Sequence, residues 1–151
     1  MIPVIDLFAG PGGLGEGFSS LLDENGQPVF QTIMSIEKDE QAHMTLRLRS
    51  FFRKIYRANG NRIPLAYLQY MEYHDEAYLQ QLKDKYPDEW TAASDEALCA
   101  TLDAHDNTLV EKGKERLREN GVEIGGTWVL IGGPPCQAYS LVGRSRRAHD
   151  K

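Results

Sequence analysis

The feature that most constrains the fold is the run Pro3-Val4-Ile5-Asp6-Leu7-Phe8 and the glycine-rich segment close behind it, Gly10-Pro11-Gly12-Gly13-Leu14-Gly15. Val4, Ile5, Leu7 and Phe8 put apolar side chains on both faces of an extended segment, interrupted only by Asp6. A strand apolar on both faces belongs in a parallel sheet covered by helices on each side. The glycines fit G-x-G-x-x-G, which lets the backbone turn sharply and lets a ligand approach it; a helix over about 13–22 would add free N–H donors at its start. A second strand is expected over 30–36, ending in Glu37-Lys38-Asp39-Glu40. Glu37 stands 22 positions after Gly15, near the offset of about 20 residues at which an acid accepts hydrogen bonds from a ribose. Together these residues point to an adenosine-containing cofactor. A tight strand–helix turn with no ligand is the alternative.

Residues 40–57 read as an amphipathic helix, with Leu48, Phe51, Phe52 and Ile55 on one stripe and Arg49, Arg53 and Arg57 on another. The arginines suit either a solvated face or contact with phosphates. From 59 to 126 the chain reads as a helical insertion, opened by the turn Asn59-Gly60-Asn61 and broken at Pro64 and Pro87. Within it, Cys99 lies in a helical pattern between Leu98 and Leu102 and reads as a small buried hydrophobe. Thr108 and Glu111 have the spacing of a capping box, and Asn120-Gly121 that of a helix end. Gly113 between them costs about 1 kcal/mol relative to alanine, so packing must support that helix. The four histidines have no partners at metal-site spacing, and no metal is expected.

A last strand is expected over 128–131, running into Gly132-Gly133-Pro134-Pro135-Cys136-Gln137-Ala138-Tyr139-Ser140. The fold class is thus α/β, an open parallel sheet whose sites lie at the carboxyl ends of its strands. The glycine loop, Glu37 and Cys136 should converge there on one crevice. Pro134 and Pro135 fix the approach to Cys136. Its thiolate would be a nucleophile if a base or a depressed pKa activated it, and a structural cysteine otherwise.

A length of 151 residues suits one domain. No apolar run approaches the ~20 residues needed to span a bilayer, and no signal peptide is read at the N-terminus. With two cysteines, a reduced, cytoplasmic location is expected. The net charge of −5 leaves room for a nucleic acid only through local basic segments at 47–62 and 144–147, since the acids crowd into 72–124.

Asp6-Leu7-Phe8-Ala9-Gly10-Pro11-Gly12-Gly13-Leu14-Gly15-Glu16-Gly17-Phe18, taken with Gly133-Pro134-Pro135-Cys136-Gln137-Ala138-Tyr139-Ser140, resembles the DNA (cytosine-5)-methyltransferase family. The first block is similar to that family's S-adenosylmethionine motif, D-L-F-x-G-x-G-G, and the second to its catalytic motif, P-C-Q-x-x-S. The resemblance covers about a third of the chain, in two blocks with Glu37 between them. It implies a Rossmann-like S-adenosylmethionine-dependent methyltransferase fold, of which 1–151 would be the N-terminal part of the catalytic domain. Phe8, Ala9, Gly10, Gly12, Gly13, Leu14, Glu37, Lys38 and Pro135 would form the S-adenosylmethionine site. Cys136 would attack C6 of a cytosine extruded from double-stranded DNA. Gln137, Ser140, Arg144 and Arg146 would approach the DNA, the arginines at phosphates. A cognate restriction endonuclease is a candidate partner.

The chain also departs from the family pattern. Lys38 stands where the family carries an aromatic or apolar residue, and Asp106 is the candidate for the family's adenine-contacting aspartate. The family's E-N-V motif, later arginine motif, target-recognition region and final helix are expected beyond Lys151, so the chain is expected to be incomplete as an enzyme. The strand at 128–131, left at a sheet edge, is expected to pair with another chain or to leave the fold marginal. Other readings share part of the pattern: a tRNA cytosine methyltransferase, a small-molecule methyltransferase or nucleotide-dependent oxidoreductase with a structural Cys136, and a non-catalytic binding fragment.

Overall fold

The computed structural model describes residues 1–123 and 125–134. Four parallel strands form one sheet: β1 (Ile2–Leu7), β2 (Phe30–Glu37), β3 (Ala97–Cys99) and β4 (Val129–Gly132), in the order β3-β2-β1-β4. Strand order reverses between β1 and β4, which makes the carboxyl end of β1 the switch point of an open α/β sheet. The fold is α/β and Rossmann-like.

The helices take both faces of the sheet. After β1 comes α1 (Gly13–Ser19), and after β2 comes α2 (Glu40–Ala58). Gly15 of α1 lies against Asp6 and Thr32. The last helix among the described residues, α6 (Thr108–Glu119), follows α3 (Leu65–Tyr73), α4 (Glu76–Lys85) and α5 (Pro87–Glu96). It packs Gly113 against Ile5 and Met34. Ile5 and Asp6 are neighbours on β1 and point to opposite faces, so α1 and α6 cover opposite sides. An irregularity in the β1–β2 register between Val4 and Ile5 pairs Val4 with Thr32 and Ile5 with Met34, skipping Ile33. That extra residue lets Thr32 face α1 and Met34 face α6.

Two larger apolar cores result, beside a small cluster of Ala9, Leu46 and Ala97. Ile5, Ile33, Met34 and Ile36 form the sheet core, with Leu109 and Leu117 of α6 packed on it. Phe51 and Ile55 of α2 form the other with Leu79, Leu82, Tyr86 and Ala93, so α4 and α5 pack on the outer side of α2. Trp90 joins this core edge-on to Phe51, ring centroids 5.2 Å apart.

Several expectations are corrected. The stretch 59–126 is not helical throughout, because β3 lies within it and extends the sheet beyond β2. Cys99 ends that strand and is exposed, so it is not a buried hydrophobe in a helix. Helix α1 stops at Ser19, three residues short of Leu22, which instead bridges Pro28. Thr108 and Glu111 make no capping box: Asp106 Oδ1 accepts the Thr108 N–H at 2.8 Å and its hydroxyl at 2.5 Å, and Glu111 pairs with Lys114. The helix end at Asn120-Gly121 is as read. Gly121 has φ +76°, its N–H reaches Arg118 O, and the Val122 N–H reaches Leu117 O, a Schellman closure.

Candidate functional site

All four strands deliver their carboxyl ends to one region. The chain leaves β1 through Phe8, which holds a left-handed φ of +56° although it is not glycine, and Gly10 and Gly12 also take positive φ. Non-glycine residues held there are strained and gather at functional sites. Gly12 could not carry a side chain easily, since a Cβ would meet Leu46 Cδ1 at 3.0 Å.

Backbone hydrogen bonds carry the sheet pattern into the loops. The Ala9 N–H donates to Ile36 O at 3.0 Å, the Ala100 N–H to Glu37 O at 3.1 Å, and the Gly133 N–H to Leu7 O at 3.2 Å. The Glu37 carboxylate is committed at both ends. Its Oε2 accepts the Gly10 N–H at 2.8 Å, and its Oε1 accepts the Asp39 N–H at 2.8 Å. Asp39 in turn caps α2 by accepting the Ala42 N–H at 2.9 Å.

Above this framework lies a cavity of about 310 Å³, within the range of small-ligand sites. Phe8, Gly10, Glu37 and Lys38, four of the residues named from the sequence, line it. Ala9 and Gly12 instead lie buried beneath the turn, and Gly13 and Leu14 are exposed at the start of α1, so none of these four reaches the cavity wall. The remaining wall is Ile36, Ala100, Thr101, Leu102 and Gly133. Thr101 and Leu102 follow β3 much as Lys38 follows β2; reading 97–99 as a strand would have revealed them. Asp106 is not part of the wall and is spent on Thr108, whose hydroxyl and N–H hold its carboxyl below the usual range.

A larger cavity of about 580 Å³ opens at the opposite ends of the strands, against Met1, Ser19, Pro28 and Arg57. The C-terminal ends of α1 and α2 lie against it, and among the described residues none of the glycine motif lines it. The strand-end cavity is the better candidate on both counts.

Arg53 is not available for phosphates. It bonds Glu16 of α1, and its second nitrogen bonds Glu96 at 2.6 Å, while Lys54 takes the other Glu96 oxygen at 2.5 Å. Arg53 thus joins α1, α2 and α5 from a largely buried position. Pro135, Cys136, Gln137, Ser140, Arg144 and Arg146 lie outside the described residues. Among the described residues no group of three or more histidines, cysteines or acids could hold a metal ion, and no helix is long and apolar enough to cross a membrane.

Strand order, glycine turn and the acid that ends β2 define a Rossmann-like α/β domain with a cavity at its switch point. The chain is similar to the Type II methyltransferase M.Bpa9945I of Bacillus paralicheniformis (strain ATCC 9945a / NCIMB 11709 / CD-2), with 31% identity over 161 aligned residues. The alignment takes in 95% of this chain and 32% of the relative, so the chain spans about a third of the relative's length. No protein-family profile and no solved structure matches the chain.

Proposed function

We propose that the chain carries the S-adenosylmethionine site and the nucleophile of a methyltransferase acting on C5 of cytosine in DNA. One observation carries this reading. Gly133, three residues before Cys136 in the sequence, shares a cavity wall with Phe8 and Gly10 of the glycine turn and with Glu37. Gly133 and the glycine turn lie more than a hundred residues apart in the chain, and the pairing of β4 with β1 is what brings these two to one cavity. Similarity to a Type II methyltransferase supports methyl transfer as the reaction.

The residues fit such a cofactor. Each Glu37 oxygen accepts one backbone N–H and keeps acceptor capacity for a ribose hydroxyl. Gly10 lies in the wall with no side chain to block close approach. Phe8 offers an exposed ring, and Lys38 an aliphatic stem, for an adenosine to pack against. When bound, the cofactor supplies a methyl group activated by a sulfonium. Cys136 would add its thiolate to C6 of a flipped cytosine, which makes C5 nucleophilic. After methyl transfer to C5, a base would take the C5 proton, and the bond between sulfur and C6 would break as the C5–C6 double bond reforms, releasing Cys136 as its thiolate. Pro135 would restrict the approach to the thiol, with Gln137, Ser140, Arg144 and Arg146 toward the DNA.

Calorimetry of the chain with S-adenosylmethionine tests the cofactor half; absence of binding removes it. For the chemistry, the full gene product should trap 5-fluorocytosine DNA covalently and lose that adduct on Cys136→Ser. Labelled methyl transfer to duplex DNA but not to tRNA is the expected outcome, and the reverse would reassign the substrate.

A further inference from the structure

Among the described residues, Asp6 has both carboxylate oxygens buried and without a hydrogen-bond partner. Burial of that kind demands a reason, because a charge in such a place must find a donor or give up its ionisation. Asp6 lies two residues before Phe8 of the cavity wall. On the α1 side, its Oδ2 is 3.4 Å from where a Cβ on Gly15 would sit, so the first turn of α1 packs directly over the carboxyl. Thr32 of β2 lies on the same face as Asp6, and Ser35 of β2 and Ile131 of β4 are its register partners. None of these groups is charged, and Glu16, the acid next along α1, is bound to Arg53. Desolvation therefore pushes the Asp6 carboxyl up to about 6, opposed only by the backbone N–H of Gly15, which lies toward it without forming a hydrogen bond.

Phe8 to Gly12, the turn that supplies part of the cavity wall, connects the strand that carries Asp6 to the helix that covers it. We propose that Asp6 is a positioning residue for this glycine turn, and that its ionised form is the one that favours a cationic ligand in the strand-end cavity. The inference rests on the S-adenosylmethionine reading, because the sulfonium is the cation concerned. An ionised Asp6 cannot stay unbonded where it lies. The donors nearest to it are the Gly15 N–H and the Thr32 hydroxyl, and recruiting them draws the first turn of α1 onto β1 and fixes the turn. A positive ligand in the cavity beyond Phe8 stabilises that negative charge by Coulomb attraction. By linkage, the ligand then lowers the proton affinity of Asp6, and ligand affinity rises with pH.

Two measurements on the chain test this. Carbon NMR of the Asp6 carboxyl in the unaltered protein should show its midpoint fall when S-adenosylmethionine saturates the site. Calorimetry from about pH 5 to about pH 8 should show affinity rising about fivefold more in the native protein than in Asp6→Asn. S-adenosylhomocysteine, whose sulfur is neutral, should show a smaller rise. Binding with an unmoved Asp6 midpoint, or with superimposable pH profiles for the two proteins, overturns the inference and leaves the cofactor reading intact. Absence of binding at every pH removes the cofactor reading and this inference with it. The NMR measurement decides the matter even if Asp6→Asn does not fold.

Discussion

Glu37 holds Gly10: the carboxylate Oε2 accepts the glycine N–H at 2.8 Å, while Oε1 takes the Asp39 N–H two residues on. One side chain therefore ties the glycine turn to the cap of α2. Glu37→Ala frees two backbone donors, one of them half-buried, and should destabilise the chain by about 1–3 kcal/mol. Affinity for S-adenosylmethionine should fall at least about tenfold, because the turn loses its anchor and the ribose its acceptor. Glu37→Gln keeps one acceptor and should lie between. Urea denaturation and calorimetry read the two effects; a variant that binds as tightly as the native protein would remove Glu37 from the site.

Two glycines should respond to alanine with opposite signs. At Gly132 a Cβ would collide with Leu7 O, a backbone atom of the neighbouring strand. Gly132→Ala should break the β1–β4 pairing and destabilise the fold by about 2 kcal/mol or more. At Gly113 the same Cβ would meet Ile5 Cδ1 at 3.5 Å and Met34 Cε at 3.8 Å, ordinary packing distances. Gly113→Ala also removes the helix penalty of glycine and should stabilise by about 0.5–1 kcal/mol. Thermal melts of the two variants give the signs directly.

Which parts of this fold the sequence could reveal follows from where the information lies. β1, β2 and α2 carry their own signals, apolar runs and an apolar stripe, and the structure places them within two residues of the sequence reading. β3 carries none. It is three residues long and follows α5 without a break, so Ala97-Leu98-Cys99 is indistinguishable by pattern from one more helical turn; pairing with β2 is what makes it a strand. Missing β3 also hid Thr101 and Leu102 in the cavity wall. Arg53 was ambiguous for a similar reason. Its i, i+4 spacing describes a helix face, but only the fold brings Glu16 and Glu96 to it. Glu37 could be named from its offset alone, whereas its grip on Gly10 could not.

Arg53 should matter for stability and little for nucleic-acid affinity. Arg53→Met removes the cation shared by Glu16 and the buried Glu96 while keeping much of the apolar stem. Lys54 still neutralises one Glu96 oxygen at 2.5 Å, so the loss should sit near the lower end for a broken buried pair, about 3 kcal/mol. Arg57 is exposed, and Arg57→Met should change stability by less than about 0.5 kcal/mol. Urea titrations separate the two; equal, small effects would mean that the three-helix ion network contributes nothing.

Asp6 should leave a pH signature in stability as well as in binding. Its folded value of about 6 lies above the ordinary 3.8 because burial disfavours the charged form. The folded state therefore holds this proton more tightly than the unfolded chain does. Its contribution is complete below about pH 4 and is lost as pH rises through about 6, the reverse of a carboxylate held by a cation. The gap between the two values corresponds to about 3 kcal/mol. Asp6→Asn cannot ionise, so the stability of the native protein relative to this variant should fall by about 2–3 kcal/mol between about pH 4 and about pH 7 and stay level above. Taking the difference between the two proteins cancels every other titrating group. Urea denaturation of both across that range is the measurement, and parallel curves would show that Asp6 remains ionised or finds a donor in the folded protein.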